Sequence, residues 1–297
     1  MTCSRLLACC CLLLVAVGCV TPKPEGATEG LSVLTWNIWH GGREDGEVVG
    51  PQRVVDVIRE SGADLVAMQE TYGSGQLISS ALGFHFHPRG TNVSIHSRFP
   101  IVADISVFEE FKCVGAVVEV PSGKQVAFLS IWLPYDAEIW EEGTREGRSR
   151  DELLAACASS AVNLREILDQ LDTRLREAGW GDLPVIVAGD FNSMSHLDYT
   201  ETAREQYGQV IDWPTSRVMS DRGFRDAYRE HSPRVDRNRD RTWTPRFPAQ
   251  QQDRIDFVYD TLSNMRVVEA RVIDRHPMRF PSDHAALFVR FGGYESR

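Results

Sequence analysis

Short continuous apolar runs alternate with amphipathic stretches along this chain. The run 31–36 (LSVLTW) is too short for a helix and predicts a buried strand. Over 51–61 the period changes. Pro51 opens the stretch, Val54, Val55 and Ile58 fall on one side, and Gly62 closes it, which predicts a helix. A strand over 64–69 and a helix over 75–82 follow. The runs VSIHS (93–97), IVADISVF (101–108), CVGAVVEV (113–120) and QVAFLSIWL (125–133) predict four strands with few helical residues between them. Leu153, Cys157, Leu164, Leu168, Leu171 and Leu175 recur at helical spacing and predict one long helix over 149–178, stopped by Gly179. A buried strand at 183–189, a polar region with short helices at 199–250, and strands at 254–260, 265–272 and 284–291 complete the pattern.

Some strands thus alternate with helices, as in parallel sheets, while others follow one another directly, as in antiparallel ones. A simple doubly wound or barrel fold fails on the middle of the chain, and one α/β domain with mixed sheets is expected over 31–293. Upstream, Arg5 and the apolar run 6–17 form a targeting segment too short to span a bilayer comfortably. It ends in 16–19 (AVGC), similar to the lipobox of bacterial lipoproteins, although Ala16 stands where that pattern more often has Leu. The expectation is a signal peptide at 1–18, a lipidated Cys19 and a flexible tether at 20–30 on an exported cell-envelope protein, with a cleaved signal and secretion as the alternative. Only Cys113 and Cys157 lie beyond this segment. Export permits a disulfide between them, and two buried thiols account for them equally well.

Lys plus Arg number 32 against 42 Asp plus Glu, a net charge of −10. Loss of 1–18 removes Arg5 and no acid, leaving about −11. Such a balance disfavours a grip on long duplex DNA, which leans on neutralising many phosphates. It leaves room for a small phosphorylated substrate, a membrane reached through the lipid anchor, and a monomer.

Polar groups sit at the ends of several apolar runs: Asn37 in TWNIWHGG, Glu70 in LVAMQE, Asp190 and Asn192 in VIVAGDFN, Asp256 in RIDFVY, and Asp283 and His284 in PSDHAALF. In open α/β sheets, sites form outside strand ends. Taken singly, each has a plain structural reading. Asn37 caps a turn, Glu70 is a solvated acid, Gly189-Asp190 is turn chemistry, and His284 is a satisfied histidine. Asp256 is harder to explain so, because a carboxylate between Ile255 and Phe257 faces burial and needs a partner.

Together with SRFPI and TWTP, these motifs stand in an order that resembles the endonuclease/exonuclease/phosphatase superfamily, which includes pancreatic deoxyribonuclease, abasic-site endonucleases, bacterial sphingomyelinases and inositol-polyphosphate phosphatases. The resemblance covers nearly all of 31–293. It implies a four-layer α/β sandwich, two mixed sheets face to face with helices outside, and metal-assisted hydrolysis of a phosphoester. Glu70 would be the central ligand of Mg²⁺ or Mn²⁺, with Asn37 beside it and Asp283 completing its surroundings. Asp190 would orient or deprotonate the attacking water. Asn192 would donate to a phosphate oxygen, and Asp256 would hold His284 charged to do the same. Where relatives often carry His, this chain has Trp132. Either Tyr135 replaces that contact or Trp132 is simply a cleft wall.

Substrate clues are thinner. His40, beside two glycines, and His196, Ser195 and Asp198, just after the acid, are candidate pocket residues, although Ser195 also suits a helix cap. Arg234, Arg237, Arg239 and Arg241 fall in one loop with Asp236 and Asp240, which favours a self-neutralised surface over an anion site. The leading expectation is a phosphoesterase for a small or lipid-derived phosphate ester. The alternatives are a secreted or anchored nuclease and a non-catalytic binding lipoprotein on the same scaffold.

Overall fold

A computed structural model describes residues 30–293. The expected signal peptide, the expected lipidation site Cys19 and nearly all of the expected tether lie outside the described residues. In chain order the elements begin with β1 (Gly30–Asn37), the short turn α1 (Trp39–Gly42), α2 (Val49–Ser61), β2 (Leu65–Gln69) and α3 (Gly75–Leu82). Five strands come next: β3 (His85–Arg89), β4 (Val93–Ser97), β5 (Ile101–Asp104), β6 (Cys113–Glu119) and β7 (Gln125–Trp132). Then come α4 (Arg150–Ala156), α5 (Ala158–Glu177), β8 (Val185–Asp190), α6 (Arg204–Tyr207), α7 (Pro214–Asp221), β9 (Arg225–Asp226), α8 (Ala227–His231) and α9 (Arg237–Asp240). The strands β10 (Asp256–Asp260), β11 (Met265–Ile273) and β12 (Ala286–Gly293) close the domain.

The strands form two six-stranded sheets, β11-β12-β1-β2-β4-β3 and β5-β6-β7-β8-β10-β9. Each has one parallel pair at its centre, β1 with β2 and β7 with β8, flanked by antiparallel neighbours. The inner faces bury Val33, Ala67 and Leu287 against Phe128, Ile186 and Val258. Outside the first sheet, α2 and α3 bury Val54, Ile58 and Ile78 on Trp36 and Met68. Outside the second, α5 and α7 bury Leu164, Leu168, Leu171 and Met219 on Leu129 and Val187. This is the expected four-layer sandwich, stabilised mainly by apolar burial on both faces of both sheets.

Four details depart from the pattern reading, the smallest being β9, two residues inside the polar region read as irregular with short helices. The expected long helix is two, α4 and α5, broken at Cys157, whose ψ of 16° leaves the helical range. The break does not show in the apolar period because Cys157 is buried like Leu153 and Leu164 of the same stripe. The predicted strand 101–108 ends at Asp104. Unforeseen, β3 pairs with β4 as an edge strand and carries Pro88, which an edge tolerates because one side of its backbone faces no partner. Cys113 and Cys157 are both buried free thiols, so of the two open readings the structure gives the second.

Candidate active site

Strand register decides which polar groups meet. β1 and β2 end together, with Asn37 opposite Gln69 and Glu70 next in line. In the second sheet Trp132 lies opposite Asp190, and Asp256 faces Asp190 from the antiparallel β10. Residues 282–284 lead into β12, whose start runs beside the end of β1. All the polar strand ends therefore fall on one edge of the sandwich and span both sheets.

Asn37 joins the two halves. Its Nδ2 donates to Glu70 Oε1 and to Asp190 Oδ2, each at 3.1 Å, while its Oδ1 accepts from Trp39 N at 3.0 Å. Asp190 also accepts from Asn192 N at 2.9 Å and Asn192 Nδ2 at 3.3 Å. His284 Nδ1 lies 2.9 Å from Asp256 Oδ2, and its Nε2 lies 3.9 Å from Asp190 Oδ2. Ser282 Oγ donates to Asn37 O at 2.7 Å and accepts from His284 N at 3.1 Å, which fixes the histidine's segment to the end of β1. Trp36 Nε1 donates to His284 O at 2.8 Å.

Local backbone shape serves the same end. Glu70 and Asn192 have φ of +54° and +44°, a left-handed conformation that asparagine adopts readily but glutamate seldom does. Glu70 is held there by its N–H donating to Asn92 Oδ1 at 2.9 Å, with buried Asn92 anchored in turn to Phe111 O. Gly189 is not the turn residue that the sequence suggests. It lies inside β8, and a Cβ there would stand 2.1 Å from Ile131 O. The glycine admits the close approach of β7, and the strand carries Asp190 to its last position.

The electrostatics follow from burial of like charges. Asp190, 1% exposed, is pushed up to about 7 by burial, with the negative charge of Asp256 adding to the rise and His284 opposing it. Asp283 is raised to about 6, by burial first and by Glu70 and Asp256 in addition. Burial alone would lower His284, but the charges of Asp256 and Asp190 outweigh it and raise the imidazole to about 10. The site therefore holds an imidazolium among four carboxylates, Glu70, Asp190, Asp256 and Asp283.

That donor set fits a hard divalent cation, which takes oxygen ligands and offsets crowded negative charge. Two arrangements are available. Asp190, Asp256 and His284 each place one ligand atom within 4.8 Å of the others. Mg²⁺ and Mn²⁺ favour oxygen donors, however, and His284, the nitrogen donor of this trio, is already engaged with Asp256 at 2.9 Å, so the trio reads as proton-handling. Glu70, half-buried at the mouth, with Asp283 beside it in charge and Asn37 bonded to it, is the better cation seat.

The other predicted residues divide. His40 N donates to Glu70 Oε2 at 3.1 Å, while its ring turns outward to Glu44. Tyr135 is at the rim, and its phenol is raised by burial and then by Glu138, Asp190 and Glu70. Trp132 packs edge-to-face on Phe111 at 5.6 Å and against the core, so the cleft-wall reading describes it. Asn192 commits its amide to Leu133 O (2.8 Å) and Asp190, so in this structure it positions Asp190 and does not present a donor for phosphate. The structure does not bring in His196, whose N and Nδ1 bond Ser216 Oγ and whose charged neighbours are Arg217, Asp212, Asp226 and Asp198. Asp198 is paired with buried Arg229 and Arg254. The arginine loop is self-neutralised at its centre: Asp236 caps α9, and Asp240 binds Arg239 and Arg229. Four residues at the site carry no role in the sequence reading: Ser282, Asn92, Tyr72, whose phenol is raised by burial and then by Glu70, and Trp243, whose ring meets that of His284 at 4.9 Å. Ser282 and Trp243 stand inside quoted motifs, PSDH and TWTP, whereas Asn92 gives no signal beyond a polar residue before a strand.

The sequence model of the endonuclease/exonuclease/phosphatase family matches residues 34–284. A Caenorhabditis elegans protein described as uncharacterized is 26% identical over 312 residues, spanning 94% of this chain and 97% of its own. An endonuclease/exonuclease/phosphatase from Beutenbergia cavernae is 19% identical with a TM-score of 0.61, covering 89% of this chain and 72% of its own. D. rerio TDP2 complexed with a single-strand DNA product is 16% identical with a TM-score of 0.60, covering 89% and 99%. The human nocturnin catalytic domain with bound sulfate is 17% identical with a TM-score of 0.54, covering 90% and 96%. At these identities the solved structures show a shared fold, and the family match spans the strands that carry the site. The chain belongs to the endonuclease/exonuclease/phosphatase family, whose members are metal-dependent hydrolases of phosphoester bonds.

Proposed function

We propose that the chain hydrolyses a small or lipid-derived phosphate ester with the help of Mg²⁺ or Mn²⁺, and does so outside the cytoplasm. One observation carries the reading. The Asn37 amide bonds Glu70 and Asp190 at once, while the Asp256–His284 pair faces Asp190. A cation seat, a proton acceptor and a proton donor are thereby held around one point.

When bound at Glu70 and Asp283, the cation supplies Lewis acidity toward the phosphoryl oxygens. Asp190, fixed by Asn37 and Asn192, accepts a proton from the attacking water. His284 presents its Nε2–H toward a phosphoryl oxygen, and Asp256 on Nδ1 keeps the ring charged and oriented. Activity then requires the Asp190 carboxylate and the His284 imidazolium, so it rises with pH as Asp190 loses its proton, on a limb that a bound cation moves below the metal-free value of about 7, and falls at higher pH as His284 loses its own.

Cleavage of nucleic acid is the second reading. It draws support from the D. rerio relative with its single-strand DNA product. Against it stand the net charge of −10 and the exposed Asp136, Glu138, Glu141, Glu142 and Glu146 between β7 and α4, of which Glu138 lies close enough to Tyr135 to raise its phenol. Location outside the cytoplasm, on a lipid at Cys19, is supported by the run 6–17 and the AVGC that ends it. The test is a Mg²⁺-dependent activity panel across inositol phosphates, sphingomyelin, nucleotides and DNA, with Glu70→Ala as the blank. Turnover of a small or lipid ester that vanishes in the blank supports the proposal. Turnover of DNA alone favours the second reading, and no turnover at all revives the binding protein.

A further inference from the structure

The Asp256–His284 hydrogen bond crosses between sheets. Asp256 opens β10 in one, and His284 precedes β12 in the other. Apolar packing sets how far apart two sheets lie, but it does not fix a directional bond between them. The segment Thr242, Trp243, Thr244 stands between the two carriers and bonds to both. Toward Asp256, Thr242 N and Trp243 N each donate to Asp253 O at 2.9 Å, and Asp253 N donates to Trp243 O at 2.7 Å. Thr242 Oγ1 accepts from Ile255 N at 3.0 Å and from Asp256 N at 3.1 Å. Toward His284, Ala285 N donates to Thr242 O at 2.7 Å, and Thr244 Oγ1 donates to Asp283 O at 2.5 Å. Trp243 forms antiparallel bridges with both Asp253 and His284, and its ring meets the His284 ring edge-to-face at 4.9 Å. Thr242 and Thr244 are 0% and 1% exposed.

We infer that Thr242 and Thr244 are positioning residues: their hydroxyls register the backbone of Asp256 against that of Asp283 and His284, and so set the imidazole's angle toward Asp190. The hydroxyls matter at these places because each ends on the backbone of a residue in the site. A buried threonine with only a packing role would contribute its methyl group. Substitution separates the two. Thr→Val keeps shape and removes the hydroxyl, which leaves two buried N–H groups at Ile255 and Asp256 without an acceptor. Thr→Ser keeps the hydroxyl and removes the methyl.

The inference rests on the phosphoesterase reading for its kinetic arm only. With bis(p-nitrophenyl) phosphate and Mg²⁺, Thr242→Val is expected to lower kcat about tenfold or more while KM stays within about twofold, since a misplacement of order 1 Å costs up to about a hundredfold. Thr242→Ser is expected within about threefold of the parent. Thr244→Val should follow in the same direction, and it serves as the reporter if Thr242→Val does not fold. Independently of turnover, the downfield proton resonance of His284 Nδ1, identified by its loss in His284→Gln, should move in Thr242→Val and return in Thr242→Ser. A Val variant with parental kcat and an unmoved resonance, or a Ser variant as impaired as Val, overturns the inference. If the parent chain turns over no phosphoester, the phosphoesterase reading fails, and the resonance still decides the positioning role.

Discussion

Asp190→Asn should abolish hydrolysis and, at neutral to alkaline pH without metal, make the protein more stable. The carboxyl is buried beside Asp256, and its pKa rises from 3.8 to about 7. A group whose folded pKa lies above its unfolded value binds its proton more tightly in the native state. Holding it ionised therefore costs stability, nothing below the unfolded pKa and the full amount above the folded one. At about 1.4 kcal/mol per pH unit, the cost above pH 7 is roughly 4 kcal/mol. Asparagine removes that charge at nearly constant shape. It also loses hydrogen bonds, because Asp190 accepts from Asn37 Nδ2, Asn192 Nδ2 and Asn192 N, and one amide oxygen cannot serve all three. That loss is about 1–3 kcal/mol. The variant should gain about 1–3 kcal/mol over the parent at pH 8 in EDTA, and the gain should shrink or reverse by pH 4. Mg²⁺ should narrow it at pH 8 by offsetting the parent's charge. Denaturant titrations at the two pH values, with and without Mg²⁺, give the comparison. A stability difference that does not change with pH, or a variant that still hydrolyses phosphoesters, would refute the reasoning.

Other expectations follow from single contacts. Gly189→Ala places a Cβ 2.1 Å from Ile131 O, so β7 and β8 must separate; a melting scan should show a loss of about 3 kcal/mol or more, with activity falling too. His96, buried between Ser79 and Ser94 hydroxyls, is lowered to about 3 by burial. Its neutral ring contributes stability above pH 6.5 that is lost as pH falls, about 2 kcal/mol by pH 5, and His96→Gln should flatten the stability–pH curve over that range. Arg254, fully buried, binds Asp198 and Asp226; Arg254→Met should destabilise by about 3–5 kcal/mol because it strands those carboxylates.

Much of the fold was legible because buried strands announce themselves as apolar runs, and all but β3 and β9 were placed. Both are edge strands: β3 reads HFHPR, which shows no apolar run because an edge strand buries little, and β9 is only the two polar residues Arg225 and Asp226. The site was legible where strand ends carry it: Asn37, Glu70, Asp190, Asp256 and His284 meet because their strands end at one edge. What each group bonds to was not legible. The Asn192 amide turns to Leu133 O, 59 residues away, and Arg254 finds Asp198 56 residues away. Such partners depend on loop paths that no local pattern encodes. The same holds for His196, which follows the acid in sequence yet is turned to Ser216.

The most direct test of metal-dependent hydrolysis at this edge is turnover of bis(p-nitrophenyl) phosphate by the parent chain and by Glu70→Gln, in Mg²⁺, in EDTA and after Mg²⁺ is restored. The parent should be active in Mg²⁺, silent in EDTA and active again on restoration. Folded Glu70→Gln should lose about a hundredfold or more throughout. Hydrolysis that persists in EDTA, or parental rates in Glu70→Gln, would contradict the account.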